Sequence, residues 1–100
     1  DDFDFAGSVI DFKEQKTLYA QDDFVFIDMG RVDGLKEGRR MNIYRMGQYV
    51  VHPYSGEFIG NVVKKIGELQ VTKDIEEDSA TAIIVYCDRE IEVGDLLLKK

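Results

Sequence analysis

The sequence is poor in several residues on which common kinds of functional site depend. Its 100 residues include no tryptophan and only one histidine, one proline and one cysteine. A single cysteine excludes an internal disulfide framework, and with one histidine it supplies no soft-ligand metal cage of the usual spacing. No apolar run approaches the roughly 18–20 residues of a membrane-spanning helix. We therefore expect no disulfide scaffold, no zinc-type centre and no membrane insertion by this segment.

The charge balance argues against partners that are themselves polyanions. Twenty acidic residues against 13 basic ones give a formal charge of −7, which opposes binding to nucleic acid or to an anionic membrane surface. The charge is uneven, with −6 over residues 1–28, +4 over residues 29–65 and −5 over residues 66–100. The basic middle third either converges into an anion-binding patch or pairs with the acidic flanks across a sheet.

The remaining composition is that of a folded β domain. Valine and isoleucine together number 19 against 10 for leucine and alanine, and β-branched residues favour strands. Short apolar or alternating segments of strand length occur at residues 8–12, 17–20, 24–28, 41–45 and 58–66. The pattern predicts an all-β fold, a small closed or partly open β-barrel of about six to seven short antiparallel strands.

Turn residues divide this pattern. Residues 30–38 carry three glycines and predict a structured turn with one 3₁₀ turn, and residues 52–56 predict a sharp reversal around a proline. Gly47 is expected to end a strand, and Gly67 to separate residues 58–66 from a further strand over residues 68–73.

The later strands and the domain limits follow from the same pattern. Residues 68–73 and 80–86 predict a hairpin, and residues 96–98 a short last strand. We expect residues 1–6 to be an acidic linker cut from a larger protein and residues 7–100 to form a single barrel domain.

No catalytic set is complete. Asp28, Met29 and Gly30 follow an apolar strand as the Asp-Thr/Ser-Gly motif does in aspartic proteases, but Met29 lacks the required hydroxyl. The nucleophile–base pairs to consider are Cys87 with His52 and Ser55 with His52. Cys87 ends an apolar strand and is expected to be a small buried hydrophobe, and Ser55, three residues from His52, is expected to serve the turn. We predict no catalytic residues, no metal and no cofactor, so the domain is not expected to be an enzyme.

A binding surface is the better prediction for the basic third. Aromatic side chains interleaved with cations stack on flat or sugar-like groups, while the cations hold carboxylates or phosphates. The predicted binding residues are Arg39, Arg40, Arg45, Tyr49, His52, Tyr54, Lys64 and Lys65. The alternative is that half of the rings face the core and the others cover the barrel mouth.

The order of the turn phrases carries a family resemblance. The most specific phrase is HPYSGEFIG at residues 52–60, preceded by DGLKEG at residues 33–38, with GSVI at residues 7–10 and IEVGDL at residues 91–96. The series resembles the C-terminal β domain of bacterial LysM-containing cell-envelope proteins. It is also similar to the C-terminal domain of flagellar assembly protein T. The chain departs from the family phrase at Arg39 and Arg40, where Gly-Asp is more usual, and it contains no LysM motif.

The resemblance implies a non-enzymatic structural or protein-interaction module in the periplasm or cell envelope of a bacterium. The implied partners are other protein domains of the envelope or the flagellar base, and peptidoglycan. Two alternatives stay open at this point, a small aspartic-type hydrolase that uses Asp28 and a barrel that senses a ligand at its mouth.

Overall fold

A computed structural model of the chain describes residues 6–51, 53–56 and 58–99, and of residues 48–51, 58–62 and 99 the backbone alone. It is an all-β domain in which a single sheet closes into a barrel of six strands. The strands are β1 Gly7–Phe12, β2 Phe24–Ile27, β3 Arg40–Val51, β4 Phe58–Ile75, β5 Ala80–Cys87 and β6 Leu96–Lys99. The predicted acidic linker lies outside the described residues except for its last residue, Ala6.

The sheet is antiparallel throughout, with neighbours in the order β1-β2-β5-β4-β3-β6 and β1 paired again with β6. The predicted hairpin of residues 68–73 and 80–86 is the β4–β5 pair, in which Val71 lies opposite Ala82. The pairing of β1 with β6 closes the sheet, so the first and last strands of this order are not left as free edges. The all-β barrel that the sequence predicted is confirmed.

Alternate residues of each strand fill the barrel interior, as the period of two requires. Met41 and Ile43 on β3 are fully buried, and Leu97 on β6 lies beside them. The other hydrophobic side chains that are at least 98% buried are Val9, Val25, Ile27, Met29, Ile66, Leu69, Val71, Ala82, Ile84 and Ile91. The interior is therefore a packed apolar core and not a lumen.

The segment between β2 and β3 closes one end of the barrel. The predicted 3₁₀ turn is present at Arg31–Asp33, and the backbone N–H groups of Arg31 and Val32 donate to the carbonyl oxygens of Glu76 and Glu77 at 2.9 and 3.1 Å. These bonds tie residues 28–39, which we call the cap, to the turn between β4 and β5, so the two connections hold each other in place.

Strands β3 and β4 are much longer than the barrel needs. Strand β6 pairs with β3 only over residues 41–44, and β5 pairs with β4 only over residues 67–75. Beyond these limits lie residues 45–51 and 58–65, which we call the arm; among the described residues, their strand pairs are all between β3 and β4. The radius of gyration of 14.9 Å, against about 13 Å for a compact domain of this length, and the extents of 51 × 31 × 18 Å agree with an element that projects from the barrel.

Two sequence predictions about strand limits are wrong for one shared reason. Strand β3 continues through Gly47, and β4 continues through Gly67 as a single strand of 18 residues. The register of the β3–β4 pair shifts at both glycines. Beside Gly47, β3 carries one extra residue between Met46 and Tyr49; beside Gly67, β4 carries one extra residue opposite the step from Ile43 to Tyr44. A β-bulge absorbs an extra residue and bends the strand without ending it.

The predicted strand over residues 17–20 is also wrong, because the β1–β2 connection folds around an aromatic pair. The ring of Tyr19 stacks on Phe12 with centroids 3.5 Å apart and planes 6° apart. Its hydroxyl accepts from the backbone N–H of Lys16 at 2.7 Å and donates to the carbonyl of Glu14 at 2.8 Å. These contacts satisfy the backbone locally, so the segment needs no strand partner.

The carboxyl group of Asp23 makes this connection sensitive to acid. Hydrogen bonds from the Lys16 ammonium (2.6 Å) and then from the Ala20 N–H (2.8 Å) lower the pKa of Asp23. A lowered folded-state pKa stabilises the fold above the ordinary aspartate value of about 3.9, and the contribution is lost as pH falls through the folded-state pKa.

We therefore expect the urea midpoint to fall less steeply below about pH 4 in Asp23→Asn than in the parent chain. Asp11→Asn, which changes an exposed carboxylate on β1, is the matched control. Equal acid slopes for the two variants would contradict this role of Asp23.

Candidate interaction surface

The structure distributes the predicted basic and aromatic residues between the barrel and the arm. Arg40 begins β3 at the capped end of the barrel, and Arg39 precedes it. Arg45, Tyr49, Tyr54, Lys64 and Lys65 belong to the arm or its tip. His52 lies outside the described residues, as does the side chain of Tyr49. Arg40 and Arg45 are five strand positions apart, about 17 Å, so the predicted residues form no single patch.

Arg45 is the first residue of β3 beyond the part paired with β6, at the base of the arm, and its positive charge is balanced by a carboxylate of the barrel. Its Nε and Nη2 atoms each donate to a carboxylate oxygen of Asp95 at 2.8 Å, and Nη2 also donates to the carbonyl of Glu90 at 3.0 Å. Asp95 is 4% exposed and accepts a further bond from the backbone N–H of Glu92 at 2.8 Å. The hydrogen bonds that Arg45 donates to Asp95 raise the pKa of Arg45. This two-pronged pair fixes the base of the arm to the β5–β6 connection.

A second charge cluster lies on the outer wall of the barrel. Glu68 is 5% exposed, and its carboxylate lies 3.2 Å from the Lys65 ammonium and 3.8 Å from Nη1 of Arg40. The Lys65 ammonium is also 5.7 Å from the centre of the Tyr86 ring. Contact with Tyr86, and then with Glu68, raises the pKa of Lys65. Two of the predicted ligand-binding cations therefore neutralise a buried carboxylate.

The sequence left two predictions for the basic third, an anion-binding patch or pairing with acidic residues. Arg40, Arg45 and Lys65 pair with acidic residues. Sequence reasoning did not single out their partners Glu68 and Asp95, since Asp95 is 50 positions from Arg45. The signal that was present is the position of Asp95 in the IEVGDL phrase, directly before β6.

The outer parts of the arm present a different chemistry. Lys64 is exposed, Met46 is 45% exposed, and Tyr54 in the tip turn is 93% exposed. The tip reverses as predicted, with Gly56 at a φ of 73°, where a side chain would be strained. Among the side chains that the structure describes in the arm and its tip, the exposed groups therefore include the Lys64 ammonium, the Met46 thioether and the Tyr54 ring.

Asp28, on which the hydrolase alternative depends, has structural partners. Its carboxylate accepts hydrogen bonds from the backbone N–H and the hydroxyl of Ser8, at 2.6 and 3.0 Å. The side chain of Met29 is buried in the core. These contacts join β1 to the end of β2, and none of them favours the hydrolase prediction, which stays a prediction.

Cys87 at the end of β5 is partly buried, and burial raises the pKa of its thiol. The sequence predicted a small buried hydrophobe at Cys87, and the residue is partly buried and packs against the core. Because the thiolate is the reactive form, we expect alkylation by iodoacetamide at about pH 7.5 to be roughly tenfold slower than in urea-unfolded chain. Equal rates in the two states would contradict this.

Within the part of the chain that the structure describes, no cluster of three or more His, Cys, Asp or Glu side chains is arranged to hold a metal ion. The same residues include no helix with the length and apolar character to cross a membrane. The chain matches no protein-family model, and no curated protein sequence shows a significant match to it.

Proposed function

We propose that this domain is a non-enzymatic protein-interaction module of a bacterial cell-envelope protein, with the arm as its contact element. The observation that carries the proposal is that residues 45–51 and 58–65 leave the barrel and, in the part of the chain that the structure describes, form only β3–β4 pairs. A two-stranded ribbon is marginally stable in water by itself. A protein surface that covers it supplies the missing burial.

The chemistry of the arm fits a protein partner better than an anion. The charges of Arg45 and Lys65 are matched within the domain. Seven apolar residues remain in the arm sequence beyond its base, namely Tyr49, Val50, Val51, Phe58, Ile59, Val62 and Val63. Short runs of adjacent apolar residues on a protruding ribbon suit strand addition or face packing by another protein.

A packed interior supports the choice of a binding module over a ligand-sensing barrel. The core positions of β3, β5 and β6 carry Met41, Ile84 and Leu97, each fully buried. When side chains fill the interior of a barrel, a partner can bind only its outer surface or the segments that project from it. The placement in the envelope, and the choice of envelope domains, the flagellar base or peptidoglycan as partners, depend on the resemblance of the turn phrases alone.

The proposal is tested by site-specific photo-crosslinking in the parent protein, expressed in its own bacterium. A photoreactive phenylalanine derivative replaces Tyr54 at the arm tip (93% exposed) or, as the matched control, Val32 at the capped end of the barrel (63% exposed). Strong adducts to envelope proteins from position 54, with little from position 32, are expected. Equal yields from both positions, or none from either, would overturn the arm as the contact element.

A further inference from the structure

One edge of the arm, residues 60–65 of β4, has no neighbouring strand in the described part of the chain and lies between two bulges of β4, at residues 59 and 66. The last backbone contact between β4 and the β5 side is the bond from the Asp88 N–H to the Ile66 carbonyl, at 2.8 Å. From Lys65 back to residue 60 no strand in the described part of the chain pairs with this edge. The corresponding edge of β3 is interrupted, because β3 carries an extra residue between Met46 and Tyr49. Bulges disfavour strand addition, so β4 presents the better edge.

We propose that residues 60–65 of β4 pair antiparallel with the same residues of a second copy, so that two arms form a four-stranded sheet. The inference rests on the proposed function, since it takes the arm as the contact element and names its partner. Three or more strands give a sheet the burial that a two-stranded ribbon lacks. Two-fold pairing of one strand with itself is the simplest closed way to reach that number.

The sequence of this edge, GNVVKK, is complementary to itself in a limited set of registers. In an antiparallel two-fold pair one residue faces its own copy across the axis. An axis at Val62 or Val63 places Lys64 and Lys65 opposite residues 59–62, all of which are uncharged. An axis at either lysine would set like charges directly opposite each other, which is destabilising. The registers centred on Val62 and Val63 are taken as the two permitted ones, because each pairs five of the six edge residues with one another, whereas an axis at Asn61 pairs only three.

The charge of the whole chain also favours the arm over the barrel as the point of contact between copies. Residues 45–65 carry a net charge of +2, and the remainder of the chain carries −9. Contact between barrel walls would bring the two acidic bodies together. Arm-to-arm pairing separates the barrels by roughly the arm length, about 20 Å, which exceeds the screening length of about 8 Å at physiological salt.

The test is sedimentation equilibrium of the chain from about 10 μM to about 1 mM, with two charged variants. The Val62→Glu/Val63→Glu chain and the Val62→Lys/Val63→Lys chain each place like charges at the centre of both permitted registers. Each variant alone is expected to dimerise at least about tenfold more weakly than the parent. A one-to-one mixture of the two is expected to recover a heterodimer, because opposite charges then meet at the axis.

Val32→Glu, at the capped end of the barrel, is the matched control and should dimerise as the parent does. Recovery in the mixture also shows that neither variant has lost the arm fold. A parent chain that stays monomeric throughout the range overturns self-pairing, and so does a dimer that both charged variants leave unchanged. Strong crosslinks from position 54 to other envelope proteins, together with a monomeric chain, would retain the proposed function and reject only the second copy as partner.

Discussion

Replacing Asp95 with alanine is expected to lower the free energy of unfolding by about 3 kcal/mol, one of the two largest effects predicted for a single substitution in this domain. The substitution removes both hydrogen bonds to Arg45 and the acceptor of the Glu92 N–H. The Arg45 side chain is 25% exposed, so its guanidinium would stay largely buried with only the exposed Glu92 carboxylate, 3.7 Å from Nη1, as a counter-charge. Loss of one partner from such a pair costs more than loss of both.

Chemical denaturation followed by far-UV circular dichroism measures this change. Glu92→Ala is the control, because Glu92 is exposed and its carboxylate lies 3.7 Å from Nη1 of Arg45, and a surface pair of this kind contributes about 0.5 kcal/mol or less. The Arg45→Met/Asp95→Leu double variant should be more stable than Asp95→Ala, since it leaves no charge unmatched. A loss for Asp95→Ala no larger than that for Glu92→Ala would refute the role of the pair.

Gly30→Ala is expected to destabilise the barrel by about 2–4 kcal/mol, because a single methyl group would enter a backbone contact. An ideal Cβ at Gly30 would lie 2.4 Å from the carbonyl oxygen of Glu76 and 2.6 Å from that of Glu77. Those same oxygens accept the hydrogen bonds from Arg31 and Val32 that hold the cap on the barrel end. The cap can make room only by stretching these bonds.

Gly34 and Gly38 provide contrasting controls. Both have a φ near 80°, at 77° and 87°, and an added Cβ at either would meet no atom within 4 Å. Alanine there should cost about 1 kcal/mol from backbone strain alone. Gly30 has a φ of −151°, which any residue adopts, so a larger loss at Gly30 isolates the steric cause. Comparable losses at the three glycines would show that the cap gives way easily.

The strands that were predicted well are those whose local pattern agrees with their place in the barrel. Residues 80–86 form the most strongly apolar β run and lie in β5, and the polar turn before them predicted the hairpin with β4. The reversal near Gly56 and the 3₁₀ turn at Arg31–Asp33 follow from glycine and proline positions. In these segments backbone preference and side-chain periodicity act over a few neighbouring residues.

The errors arose where strand pairing or side-chain stacking overrides the local pattern of glycines and apolar residues. Gly47 and Gly67 resemble strand ends, but pairing on the opposite strand carries β3 and β4 past them through bulges. Residues 17–20 resemble a strand, yet the stacking of Tyr19 on Phe12 and the bonds of its hydroxyl hold a folded loop. The partners of Gly47 and Gly67 lie on another strand. The contacts of Tyr19 lie within seven residues of it, but they depend on side-chain stacking that the alternation of apolar residues does not reveal.

By itself the sequence determined that the chain is an all-β barrel with a sharp reversal near residue 54, because period-two burial and turn chemistry are local properties. Only the tertiary structure decided that β3 and β4 outrun the barrel as an arm. It also decided that Arg45 and Lys65 neutralise Asp95 and Glu68. Barrel closure brings together residues that no local preference connects. It therefore decides how far the neighbouring strands extend along β3 and β4, and which charges far apart in sequence form pairs.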